Sequence, residues 1–186
     1  MRNNKQKFDG NIIHPTAIIH LSVKMGIGNF IGAYSILEEN VIIGDNNYIG
    51  HHCIIGDIGE SIRFFNTERK GVIIGNNNRL TKQITIDGGT VNPTQVYNNT
   101  LWLKNAHGGH DCIIHDNAQI RANVIVGGHV TISQNVKLYL GAIIHQRLTV
   151  PENCIIGMGA IVIKKTVLIE KGVYVGNPAK LLKVAE

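Results

Sequence analysis

Aromatic residues make up only 5% of these 186 residues, and proline (four) and cysteine (three) are scarcer still. Few aromatics exclude a stacking platform for single-stranded nucleic acid. The odd cysteine count, with no Cys-x-x-Cys pair, excludes a disulfide framework and a structural zinc site. No apolar run approaches the roughly 20 residues that cross a bilayer, so no stable membrane insertion is expected. The opening Met1-Arg2-Asn3-Asn4-Lys5-Gln6-Lys7 lacks the apolar core of a secretion signal, which makes the cytoplasm the expected location. Charged residues are also few, at 17%, and the net charge of +5 is scattered along the chain. That scatter argues against nucleic acid as a partner and suits a small phosphate-bearing ligand or carrier.

What the chain has in abundance is aliphatic residues and glycine (21 of them), set to a beat of six. Ile13, Ile19, Met25, Ile31, Leu37, Ile43, Ile49 and Ile55 fall six apart. Glycine often follows directly (Gly26, Gly32, Gly44, Gly50, Gly56), and the fourth residue after is usually small, as at Ala17, Val23, Asn29, Ser35, Val41, Asn47 and Cys53. The beat returns at Ile74, Leu80 and Ile86, then runs from Val96 through Trp102, Gly108, Ile114 and onward to Tyr174. A period of six matches neither a helix nor an ordinary alternating strand. It predicts an all-β hexapeptide-repeat solenoid, a parallel β-helix, over the whole of 1–186 as one domain. The alternative, an antiparallel sandwich of short strands, would show period two and irregular spacing.

In such a coil the aliphatic residue fills the interior, the small one fits the inner corner, and Gly or Asn takes up the unusual dihedrals of the turn. Cys53, Cys112 and Cys154 all occupy the small corner position and read as buried. The two breaks in phase mark inserted loops at about 57–73 and 91–95, and a short tail is expected at about 175–186. The first loop carries Arg63, Phe64, Phe65, Glu68, Arg69 and Lys70, a mixture suited to a ligand or a neighbouring subunit.

Three hexads make one coil, so residues 18 apart stack. His110 then lies beneath Gly128 and Gln146, Asp111 beneath His129 and Arg147, and Gly109 beneath Gly127 and His145. A patch of His, Asp, Gln and Arg gathers along one edge from distant parts of the chain. His110 is the candidate general base, because an imidazole titrates near neutrality. Asp111 is placed to orient a histidine, although neighbours in a strand face opposite sides. Gly128, with no side chain, would leave its amide to stabilise an oxyanion. Gly127 and Arg147 are the candidate contacts for a coenzyme-bearing donor. A metal site from His107, His110 and Asp111 has no recognised ligand spacing, and none is expected. His14, His20, His51, His52 and His115 read as ordinary surface residues.

Several segments resemble the UDP-N-acetylglucosamine acyltransferases of lipid A synthesis, within the hexapeptide-repeat acyltransferase superfamily. They are Ile13–Ile18, Ile74–Arg79, Ile86-Asp87-Gly88-Gly89-Thr90, Asn105–Cys112, Val126–Val130 and Ile144-His145-Gln146. The resemblance implies a left-handed β-helix, a homotrimer, and active sites between subunits. It implies His110 as base supported by Asp111, Gly128 as oxyanion donor, and His107, His129, His145 and Gln146 as substrate contacts. The family's Asp-Leu-Lys in the first loop, which contacts the sugar, stands here as Ser61-Ile62-Arg63, which makes Arg63 a substrate-binding candidate. Gly108-Gly109 replaces bulkier residues between the motif histidines, a change expected to reshape the acyl pocket. No counterpart of the family's helical C-terminal domain is expected. The ending Tyr174–Lys180 is instead similar to coenzyme-A-dependent sugar acetyltransferases.

The expectation is therefore acyl transfer, with acetyl-CoA as the preferred thioester donor, to the amine or hydroxyl of a nucleotide-linked sugar destined for a surface glycan, with no metal required. One alternative is O-acylation of UDP-N-acetylglucosamine from acyl carrier protein in lipid A synthesis. A second, of another class, is a non-catalytic hexapeptide scaffold.

Overall fold

A computed structural model describes residues 8–60 and 68–185. Within them are twenty-five strands, most only two residues long, and no helix. They stack into three faces of ten, eight and seven strands, all parallel except the last strand of the first face. The first runs from Ile12–Ile13 to Lys180–Val184, the second from Ile18–Ile19 to Ile161–Val162, and the third from Lys24–Met25 to Thr149–Val150. Successive coils pair in the expected register, Ile13 with Ile31, Ile31 with Ile49, and Gly108 with Val126. This is the parallel β-helix that the six-residue beat predicts.

The interior is a stack of the six-spaced residues: Ile31, Ile49, Leu80, Trp102, Ile120, Leu138 and Ile156 on one face are all fully buried. The three cysteines lie buried at the inner corners. A column of buried polar residues, Asn29, Asn47, Asn78 and Thr100, runs up another corner. Each member passes hydrogen bonds to the next, with Asn78 Oδ1 accepting from Thr100 Oγ1 at 2.7 Å. No described buried side-chain polar atom is left without a partner, as such a column requires.

The corner dihedrals divide the labour differently from expectation. The left-handed position falls three residues after the interior one, at φ close to 60°, and Asn fills it at Asn40, Asn46, Asn77, Asn99 and further corners. The glycine directly after the interior residue serves close approach instead. At Gly50, a Cβ would run into the Thr81 carbonyl of the next coil.

Two coils carry insertions. Ile43 pairs with Ile74, and Ile74 stacks under Val96, separations of 31 and 22 residues against the regular 18. The loops are shorter than the phase breaks suggested. Asp57 ends the strand Ile54–Asp57, and strands Val72–Ile74 and Thr94–Val96 pair with each other. Residues 72–73 and 94–95 are thus strand, because ladder hydrogen bonds draw the loop ends into the coil. The expected tail is likewise structured: Lys180–Val184 returns antiparallel along Gly172–Val175 and closes that end of the first face.

Candidate functional site

The second face carries the strand His107–Gly108, and the chain turns a corner directly after it. At that corner Asp111 takes the left-handed conformation, φ 58°. The turn brings its carboxylate alongside the preceding imidazole, so that His110 Nδ1 lies 2.8 Å from Asp111 Oδ2. Adjacent residues in a strand could not do this.

The second insertion wraps the carboxylate. Asp111 accepts the Thr90 amide at 2.9 Å, the Thr90 hydroxyl at 2.6 Å, and the Val91 and Asn92 amides at 2.8 Å each. Its own amide donates to Thr94 Oγ1 at 2.8 Å. Burial opposes ionisation of Asp111, but the donors from Thr90, Asn92 and His110 outweigh it and hold the carboxyl far below the usual carboxylate range. A permanent carboxylate can only accept, so the His110 proton belongs on Nδ1 and the lone pair on Nε2.

Nε2 lies against Gly128, where a Cβ would come within 2.7 Å of it. On the other side of the ring is Gly59 from the first insertion, where a Cβ would meet His110 Cδ2 at 3.0 Å. The Gly128 amide has no acceptor among the described residues, while its carbonyl takes the Arg147 amide at 2.9 Å. His129 stands edge-on to His110, 5.0 Å between ring centroids, and its Nε2 is 3.9 Å from Asp111 Oδ2. Burial, Arg147 and His110 together lower its proton affinity against the pull of Asp111.

The structure brings together His107, His110, Asp111, Gly128 and His129. One coil above, His145 is exposed with Nδ1 2.9 Å from the Gln146 carbonyl, and Gln146 and Arg147 are exposed beside it. Arg147 also sits in the left-handed conformation, φ 62°, in the corner column of Asp111 and His129. Asn dominates the other corners, so this column has exchanged a comfortable turn residue for chemistry at three successive coils. The Gly127 amide is bonded to the Ile144 carbonyl at 3.0 Å, so Gly127 offers uncovered backbone rather than a donor. Arg63 lies outside the described residues.

Gly108 does not face the site. It points inward, where a Cβ would meet the Trp102 ring at 3.0 Å. The missing side chain makes room for an interior tryptophan, and Gly109 is the one of the pair on the outer corner. The remaining histidines have local partners, such as His14 with Thr16, His20 with Ser22, and His115 stacked on Tyr97.

Donor atoms of His110, Asp111 and His129 lie within 4.8 Å of one another. A cation there would compete with the five hydrogen-bond donors already on Asp111, so the set is better described as a carboxylate-held imidazole than as a ligand cage.

Sequence reasoning missed four contributors: Thr85, Asp87, Thr90 and Thr94. Thr85 Oγ1 lies 2.8 Å from His107 Nδ1, and Asp87 Oδ2 lies 3.8 Å from His107 Nε2. Burial, aided by the nearby Glu60, raises the Asp87 carboxyl to about 7. Burial lowers the proton affinity of His107. Thr85 and Asp87 belong to the coil directly below the one that carries His107 and His110.

The model for bacterial transferase hexapeptide repeats (six repeats) matches residues 22–57. With the coil geometry, this match fits the left-handed parallel β-helix built of hexapeptide repeats, the fold found in hexapeptide-repeat acyltransferases. The chain is similar to the acyl-[acyl-carrier-protein]–UDP-N-acetylglucosamine O-acyltransferase of Rickettsia bellii (strain OSU 85-389), 31% identical over 122 aligned residues. That alignment covers 55% of this chain and 43% of the relative, so the chain matches less than half the relative's length. Among solved structures, the UDP-N-acetylglucosamine O-acyltransferase of Moraxella catarrhalis superposes with a TM-score of 0.69 at 28% identity, over 95% of this chain and 73% of that one. The UDP-N-acetylglucosamine acyltransferase of Campylobacter jejuni gives 0.73 at 25% identity, over 92% and 74%.

Proposed function

We propose that the protein transfers an acyl group from a thioester to the hydroxyl or amine of a nucleotide-linked sugar. The observation that carries this reading is the His110 imidazole, held through Nδ1 by a permanent carboxylate, with Nε2 beside the Gly128 backbone. Nε2 takes the proton as the acceptor oxygen or nitrogen attacks the thioester carbonyl. The oxyanion so formed is held by the Gly128 N–H. The carbon–sulfur bond then breaks, and the thiolate leaves with the proton from His110. His129, His145 and Gln146 line the same edge as contacts for the two substrates, and Arg147 is a cation for a coenzyme phosphate. Arg63 of the first insertion remains a candidate sugar contact.

The donor is a thioester on a pantetheine arm. Acetyl-CoA is the donor we favour. Acyl carrier protein is the second reading, favoured by the name of the Rickettsia relative. The same reading has the protein acting in the cytoplasm as a homotrimer, and sedimentation at 20.4 kDa rather than three times that mass would remove the trimer. Among the described residues, no helix is long and apolar enough to cross a membrane.

The test is thiol release from acetyl-CoA and from a medium-chain acyl carrier protein against a panel of nucleotide sugars. We expect release by the wild type and a loss of at least about 10²-fold in His110→Ala. Near-normal turnover in that variant removes the base assignment. If neither donor releases thiol with any acceptor, the chain is a scaffold.

A further inference from the structure

Beside the dyad lies a second carboxyl–imidazole pair that the transfer step does not use. Asp87 follows Ile86 as Gly109 follows Gly108, and the pairing of Ile86 with Gly108 and Gly108 with Val126 stacks Asp87, Gly109, Gly127 and His145 in one column. Two bare glycine steps, each about 4.8 Å high, therefore separate the Asp87 side chain from that of His145. Both glycines pack against the next coil, where a Cβ at Gly109 would meet the Gly128 amide at 2.8 Å and one at Gly127 the Gln146 amide at 2.7 Å, so the column carries side chains only at its two ends.

Asp87 is buried, with 6% of its surface exposed, and it accepts the backbone N–H of Glu60. Its neighbours Asp57 and Glu60 are also acidic, and among the described residues no lysine or arginine forms an ion pair with any of the three. The other titratable groups near it are His107, with His110 beyond, and the buried Cys112.

The gap between Asp87 Oδ2 and His107 Nε2 is 3.8 Å, too long for a hydrogen bond. A tautomer carrying hydrogen on Nε2 would close onto the carboxylate. The open gap is compatible with the tautomer that donates from Nδ1 to Thr85 Oγ1, 2.8 Å away. With Asp87 ionised both atoms facing the gap then accept, whereas the protonated carboxyl that burial favours below about pH 7 would itself donate. One ligand atom about 2.9 Å from each would sit at the apex of a triangle on that base. To satisfy two acceptors at once it must carry at least two hydrogens, which an amine has and a hydroxyl lacks.

We propose that Asp87 and His107 together select an acceptor sugar bearing an amino group, with that nitrogen seated between Oδ2 and Nε2. The chemistry after binding rests on the acyl-transfer reading. The acceptor arrives as R–NH3+ and gives one proton to the Asp87 carboxylate. The neutral nitrogen attacks the thioester carbonyl, and His110 Nε2 removes a second proton from the adduct. The carbon–sulfur bond breaks, the thiolate takes that second proton, and the first passes to solvent. The products are an amide, a thiol and one proton.

The test uses pairs of UDP-hexoses that differ only by amino for hydroxyl at carbon 2, 3 or 4. Binding is read by calorimetry without donor, and transfer by thiol release from acetyl-CoA. One amino member should bind the wild type at least about 10-fold more tightly than its hydroxyl partner, and Asp87→Asn should abolish that preference while circular dichroism stays unchanged. A hydroxyl preference in the wild type, or an amino preference that survives in Asp87→Asn, overturns the proposal. If the amino preference is present and lost in the variant but no thiol is released, Asp87 keeps its role and the acyl-transfer reading falls.

Discussion

His110 and Gly128 sit so close that the imidazole occupies the space a side chain at 128 would need, 2.7 Å from Nε2 to the position of a Cβ. The glycine therefore does two jobs: it makes room for the base, and it leaves a backbone N–H beside it. Gly128→Ala should displace the ring and lower kcat about 10²-fold. The thermal midpoint should move little, since the position lies on an outer corner. A variant with normal kcat would separate Gly128 from the chemistry.

Asp111 should govern both activity and acid stability. Asp111→Asn removes the carboxylate that fixes the His110 tautomer, and should cost about 10²–10⁴-fold in kcat. The folded carboxyl titrates far below its unfolded value of about 3.9. Its stabilisation is therefore complete above about pH 5 and is lost as the pH falls through the more acidic range. Chemical denaturation of wild type and variant between pH 3 and 7 checks this, and a constant difference across that range would contradict it.

Asp87 should behave in the opposite sense. Its carboxyl is raised from 3.8 to about 7, so the fold favours its protonated form. Stability is therefore lost as the pH rises from about 4 to about 7, by at most about 4 kcal/mol in all. Asp87→Asn should therefore be more stable than wild type at pH 8, with the gain shrinking toward pH 4. Equal stability at both pH values would show that burial does not hold the proton there.

The cysteines should be inert in the folded protein. Burial pushes the Cys53 thiol up to about 11 and the Cys112 thiol up to about 12, and it raises Cys154 as well. With little thiolate and no exposure, none should react with a disulfide reagent at pH 8 until denaturant is added. Stoichiometric labelling before unfolding would contradict the packing.

The coil and its register were legible because one apolar residue in six must face inward, and that constraint repeats in every hexad. The stacking of Asp111 under His129 under Arg147 followed by counting eighteens. Counting eighteens failed at Asp87, because the second insertion lies between it and Gly109 and the true separation is 22 residues. Counting from one interior residue to the next, Ile86 to Gly108, would have found it. The contact between His110 and Asp111 was hidden for another reason: it depends on a left-handed corner, and an alternation rule cannot see a turn. Gly108 misled in turn, since a missing side chain on a motif suggests an altered pocket when the space belongs to Trp102 inside.

Both insertions terminate on the same few atoms. Residues 90–92 grip Asp111, while Gly59 and Glu60 flank His110 and Asp87. The solenoid itself needs neither segment, since the coils above and below close without them. Framework and reactivity are thus encoded in separable stretches of chain. Whole coils can be gained or lost at a distance with the site intact, whereas a change of one residue in either insertion reaches it directly.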